Sequence, residues 1–189
     1  MATEKQKKKL FRDLNRADPR FQEKISPFLE GLYQYYFRVD MTGWENVPEQ
    51  KALFVGNHNG LLTFEVLMLF HAWFKRFGTA RRAVGLAHAI ALNNPLFSWL
   101  IPKLGAIPGD PEIAYEALAR DYSLLVFPGG EKEAFRKFTD RKKLDFFNRK
   151  GFIKLAIRAQ VPIVPIVSIG AHETYVILDR GEEIAKKLG

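Results

Sequence analysis

Short apolar runs recur along the chain, and between them apolar positions return at helical spacing. Ala52 to Val55, Ala83 to Ala87, Gly105 to Ile107, Leu124 to Phe127 and Ile163 to Ile169 each read as a strand. Tyr36 to Met41 reads as one more, because aromatic and β-branched residues cluster there. None of the internal runs alternates cleanly with polar residues, so the pattern predicts strands covered on both faces.

The helical stretches lie between the strands. Phe64 to Arg76 is apolar at helical spacing. Asp110-Pro111-Glu112 carries a start signal: Asp caps, Pro suits the first turn, and Glu favours the positive end of the dipole. That helix is expected to reach about Arg120, and Gly151 to Gln160 forms another. A short helix to Leu104 follows Asn93-Asn94-Pro95, and the tail from Gly181 to Gly189 is expected to be helical and polar. Near the N-terminus, FQEKISPFLEGLYQYYF (21–37) places Phe28, Leu32, Tyr35 and Tyr36 at near-helical spacing. That face packs on the core or lies on lipid, and the core is the favoured reading.

Strands alternating with helices predict an α/β fold: one αβα-type domain with a mostly parallel or mixed central sheet. A basic, aromatic helical segment over residues 1–35 is expected to precede an α/β domain over 36–189, possibly truncated at its C-terminus.

Composition sharpens this picture. The chain has 189 residues and 47% hydrophobic content, which fits one globular domain with a sizeable core. It has no cysteine, which excludes disulfides, thiolate metal sites and cysteine nucleophiles and fits a reducing, cytoplasmic location. Net charge is +8, which suggests an anionic partner: nucleic acid, a membrane surface or phosphorylated molecules. The N-terminal stretch MATEKQKKKLFRDLNR lacks the apolar region of a secretion signal, and its Lys5–Lys9 run is either a solvated terminus or an electrostatic membrane anchor. The longest nearly unbroken apolar stretch, Leu61 to Phe74, is too short to span a bilayer.

Candidate chemistry gathers at the strand ends, where open α/β sheets collect ligands. After the run ending at Val55 come Asn57 and His58, and Glu65 follows inside an apolar helix. Histidine is the side chain best suited to take a hydroxyl proton near neutral pH, and a carboxylate on its other nitrogen would orient it. On one straight helix the two would stand about 10 Å apart, so the pair requires His58 to precede the helix and the Asn59-Gly60 turn to fold it back. Thr63 is the competing local partner, though a hydroxyl cannot stabilise an imidazolium as a carboxylate does.

FPGGEKEAF (127–135) is the second stretch. Gly129 and Gly130 let backbone approach a ligand, and amides there are candidates to hold an oxyanion. Glu133 and the basic residues from Lys132 and Arg136 through Lys143 either meet ligand phosphates or are simply solvated. His71 is expected to pack or to face solvent, His88 to line a pocket or not, and His172 follows the last strand. Their spacing matches no metal-site pattern, so no metal is expected.

Taken in order, these stretches resemble the glycerolipid and lysophospholipid acyltransferase family, in its diacylglycerol-acyltransferase-like branch. GNHNGLLTFE is similar to the family's Asn-His and acidic block, and FPGGEKEA to its Pro-Gly-Gly block. LGAIPGDPEIAYEAL (104–118) is similar to the connecting block, and VPIVPI (161–166) to the last. The resemblance covers roughly residues 36 to 178. It departs in two places. Six residues separate His58 from its acidic partner, which is Glu rather than Asp, where the commonest form has four; and Lys132 stands where the family often has an Arg for a glycerol phosphate.

The resemblance implies acyl transfer from acyl-CoA or acyl carrier protein, as co-substrate, to a lipid hydroxyl. It implies His58 as general base, Glu65 as its orienting partner, and Asn57, Gly129, Gly130, Lys132, Glu133 and Arg136 as substrate-binding residues. It also implies work at the membrane as a peripheral protein, with no cofactor besides the acyl donor. Two rivals stay open: a non-catalytic lipid or membrane-surface binder on the same fold, and a thioester hydrolase. Nucleic-acid binding has only the charge in its favour, and no recognition motif supports it.

Overall fold

The protein was analysed as a computed structural model, which describes residues 16–59, 64–93, 95, 98–174 and 176–179, together with Glu4, Lys8, Arg12 and Leu14. The expected tail helix over 181–189 lies outside the described residues, as does Thr63.

Five strands form one sheet: β1 (Leu53–Gly56), β2 (Ala83–Ala87), β3 (Ala106–Pro108), β4 (Ser123–Val126) and β5 (Ile163–Ile166). Their order is β3-β2-β4-β1-β5, and every pairing is parallel. The helices are α1 (Pro19–Gly31), α2 (Phe64–Phe77), α3 (Ala89–Asn93), α4 (Pro111–Ala119), α5 (Gly130–Ala134) and α6 (Gly151–Ala159).

The pleat of β1 explains the layers. Leu53 and Val55 point into a cluster with Ile113, Ala117 and Leu118 of α4 and Leu155 and Ala156 of α6. Ala52 and Phe54 point the other way, into a cluster with Val66, Leu69 and Trp73 of α2. Both faces of β1 are thus covered, which is why it reads as an unbroken apolar run. Removing a fully buried side chain here, as in Leu53→Ala, costs about 2–5 kcal/mol. Pro165 cannot donate to a ladder, and it sits in the edge strand β5, where that is tolerated.

Local signals place the helix starts. Asp110 caps α4, its Oδ1 accepting from Glu112 N at 2.9 Å and Ile113 N at 3.0 Å. Asp18 caps α1 through Phe21 N at 3.2 Å.

Two sequence expectations are corrected at the N-terminal end. Tyr36 to Met41 is not a strand: α1 continues as a π-helix over Leu32–Tyr36, and residues 38–41 carry no ladder. Aromatic content favours a strand only where the segment reaches a sheet edge, and residues 38–41 pair with neither edge strand, β3 nor β5. The face carrying Phe28, Tyr35 and Tyr36 does not pack on the core either. All three are exposed, and Leu29 is the residue α1 buries. What seats α1 is polar: Glu30 accepts from the buried His71 Nε2 at 2.8 Å and from Lys75 Nζ at 2.6 Å, both on α2. These bonds, Lys75 first, hold the Glu30 carboxyl below its ordinary value.

Candidate active site

Strand order decides what meets His58. Because β4 and β5 flank β1, the residues that follow all three strands lie side by side at the carboxyl edge of the sheet. From β1 come Asn57, His58 and Asn59. From β4 come Phe127 to Gly130 and the short helix α5, and from β5 comes Ser168.

His58 lies before α2, and the chain folds it back onto that helix. Its Nδ1 stands 2.7 Å from Glu65 Oε1, and the same oxygen accepts Asn59 N at 2.9 Å. Asn59 N–H thereby ties the backbone that carries His58 to the same carboxylate. The Glu65 side chain is 6% exposed and that of His58 15%. With Nδ1 donating to a carboxylate, Nε2 keeps its lone pair and can take a proton. Phe127 stacks on the imidazole, with centroids 4.8 Å apart and planes 25° from parallel. Gly56 permits this approach, since a Cβ there would stand 2.7 Å from the Phe127 ring.

The backbone of His58 is held at both ends. Its N–H donates to Glu133 Oε2 at 3.0 Å, and its carbonyl accepts from Arg136 Nη1 at 2.7 Å. Arg136 Nη2 also donates to Asn59 Oδ1 and, at 3.1 Å, to the Arg141 carbonyl. Burial pushes the Glu133 carboxyl up and the Arg136 guanidinium down from their ordinary values.

Asn57 pairs with Ser168 as though it prolonged the β1–β5 ladder. Its Nδ2 donates to Ser168 O at 2.8 Å, and Ser168 N donates to its Oδ1 at 2.8 Å. Ser168 is the partner that the sequence reading missed. It contributes only backbone groups, so its side chain carried no signal in the sequence.

The Pro-Gly-Gly turn has its own anchors. Gly130 N donates to Phe127 O at 3.0 Å, and Gly130 has φ +54°. Arg149 Nη1 donates to the carbonyls of Pro128 and Gly129, both at 3.2 Å, and its Nη2 meets Glu131 at 3.2 Å. Lys132 is exposed, with its ammonium 5.7 Å from the Phe147 ring centre. Of the other histidines, His71 belongs to the α1 contact and His88 is exposed. His172 is buried beside Arg136. Among the described residues, no group of three or more histidines and carboxylates is placed to hold a metal ion. No helix among them is long and apolar enough to cross a membrane.

The arrangement is therefore a histidine in contact with a buried carboxylate, set at the carboxyl edge of a parallel sheet beside a glycine turn. The family model described as Acyltransferase matches residues 38–169. An uncharacterized protein of Mycobacterium tuberculosis is 34% identical over 174 residues, covering 91% of this chain and 49% of its own length. A Gallus gallus protein named "DGAT1/2-independent enzyme synthesizing storage lipids" is 29% identical, covering 80% of this chain and 45% of its own. The Homo sapiens protein of that name is 24% identical, covering 80% and 46%. The chain spans about half the length of the curated relatives it matches. No solved structure matches it significantly.

Proposed function

The chain belongs to the acyltransferase family, and we propose that it moves a fatty acyl group from an acyl thioester to a lipid hydroxyl. The observation that carries this reading is the 2.7 Å contact between His58 Nδ1 and Glu65 Oε1. His58 Nε2 takes the proton of the acceptor hydroxyl as that oxygen attacks the thioester carbonyl. Glu65 stabilises the imidazolium formed. The tetrahedral intermediate collapses, the C–S bond breaks, and the departing thiolate takes the proton back from His58. An amide at the glycine turn suits the developing oxyanion. Gly130 N–H already donates to Phe127 O, which makes Gly129 N–H the candidate donor of the two.

The donor is acyl-CoA or acyl carrier protein. The acceptor is a glycerolipid or lysophospholipid, met at a membrane surface where the protein works peripherally. The storage-lipid name carried by the Gallus gallus relative favours a neutral acceptor. So does Lys132 in place of the arginine that the family often has for a glycerol phosphate.

The test offers long-chain acyl-CoA and acyl carrier protein thioesters to the purified protein. Lysophospholipid, monoacylglycerol and diacylglycerol are presented in mixed micelles, with thiol release and lipid products measured. An acylated lipid should form, and His58→Ala should lower kcat by about 10²–10⁴-fold. Free fatty acid alone would assign a hydrolase instead. Lipid binding without turnover would assign a binding protein.

A further inference from the structure

We infer that Glu133 and Arg136 are positioning residues that hold the His58 peptide in register with Glu65, rather than contacts for the substrate. This rests on the acyl-transfer reading above for its kinetic arm only. Glu133 is 1% exposed and Arg136 6%, so neither side chain meets an incoming ligand. Instead they close on the same residue from opposite ends. Glu133 Oε2 receives the His58 N–H at 3.0 Å, and Arg136 Nη1 reaches the His58 carbonyl at 2.7 Å. The two are three residues apart in one chain segment, and Arg136 Nη1 also donates to the Glu133 carbonyl at 2.9 Å, locking the grip together.

The grip extends beyond His58. Arg136 Nη2 donates to Asn59 Oδ1, while Asn59 N donates to the same Glu65 oxygen that His58 Nδ1 meets. Two consecutive residues are therefore pinned from the α5 side and paired with Glu65 on the α2 side. A shift of the His58 peptide would break the imidazole–carboxylate contact as well.

This assigns a reason to Gly129. A Cβ there would stand 2.2 Å from Glu133 Oε2 and 2.4 Å from Glu133 Cβ. The glycine is needed because the grip passes directly beneath the turn. The Pro-Gly-Gly stretch and the Asn-His stretch, far apart in sequence, are thus one device.

The experiment compares Glu133→Gln, Glu133→Leu and Arg136→Lys with the wild type, checking each fold by circular dichroism. Two readouts are taken. The first is the ¹⁵N–¹H spectrum of the His58 ring, which reports the Nδ1–H···carboxylate bond without any turnover. The second is kcat and KM for acyl transfer. Glutamine keeps an acceptor for His58 N–H, so its ring signal should persist and kcat should stay within about tenfold. Leucine should abolish the ring signal and lower kcat more than 100-fold with KM little changed. Lysine cannot fork to both His58 O and Asn59 Oδ1, and should broaden the ring signal and lower kcat about tenfold or more.

A rise in KM alone, or a Glu133→Gln variant that is inactive with an intact ring signal, would overturn the inference, because either implies contact with substrate. So would a leucine variant with the ring signal unchanged. If leucine fails to fold, the glutamine and lysine variants still decide. If the wild type yields no acylated product, the acyl-transfer reading falls, while the ring spectra still judge the positioning role.

Discussion

Glu65 Oε1 accepts from two consecutive residues at once, His58 Nδ1 at 2.7 Å and Asn59 N at 2.9 Å. The imidazole and the backbone that carries it therefore share one anchor. Glu65→Gln keeps an acceptor for both donors but removes the charge that stabilises the imidazolium. Steady-state kinetics should give kcat lower by about 10²-fold or more, with KM nearly unchanged. Glu65→Asp keeps the charge but is one methylene short, and should lose a comparable amount.

Asn57 exchanges two hydrogen bonds with Ser168, at 2.8 Å each. At about 1 kcal/mol per bond, Asn57→Ala should cost about 2 kcal/mol. For a chain of this size that lowers Tm by roughly 4–8 °C in a thermal melt. A KM increase with Tm unchanged would instead return Asn57 to direct substrate binding.

Two buried groups should give the stability profile opposite slopes. Burial, with Arg136 beside it, holds His172 below its ordinary value of 6.5. The unfolded chain binds that proton more readily, so stability is full above pH 6.5 and is lost as pH falls from there toward the folded value. Glu133 acts in reverse: burial raises its carboxyl above 4.5, so the folded state is handicapped as pH rises through the folded value and beyond. In melts from pH 4 to 8, His172→Phe should flatten the loss below pH 6.5. Glu133→Gln should raise Tm at pH 8, with the gain shrinking toward pH 4.5.

Glu30 joins α1 to α2 through His71 and Lys75. Glu30→Ala leaves a buried imidazole nitrogen without its acceptor and should cost about 1–3 kcal/mol. Hydrogen exchange should rise first in residues 19–36, before the sheet is affected. Because the Glu30 carboxyl is held below 4.5, its contribution is present above that pH and fades as pH falls through the folded value.

Much of the architecture was legible in the chain itself, for local reasons. β1, covered on both faces, reads as an unbroken apolar run, and Asp110-Pro111 opens a helix through bonds two and three residues on; β5 reads as apolar too, yet Ile163 is exposed. The meeting of His58 with Glu65 was also within reach of the sequence, since His58 precedes the helix and Glu65 lies in that helix's first turn. The reading failed where the deciding partner lies elsewhere. Tyr36 to Met41 has strand composition but pairs with neither edge strand, and the aromatic face of α1 yields to a polar seat built from Glu30 and His71. Only the tertiary structure decided that β4 and β5 flank β1. That order, which depends on how the crossovers wind across the sheet, sets Phe127 against His58, Ser168 against Asn57, and Glu133 and Arg136 behind the histidine loop.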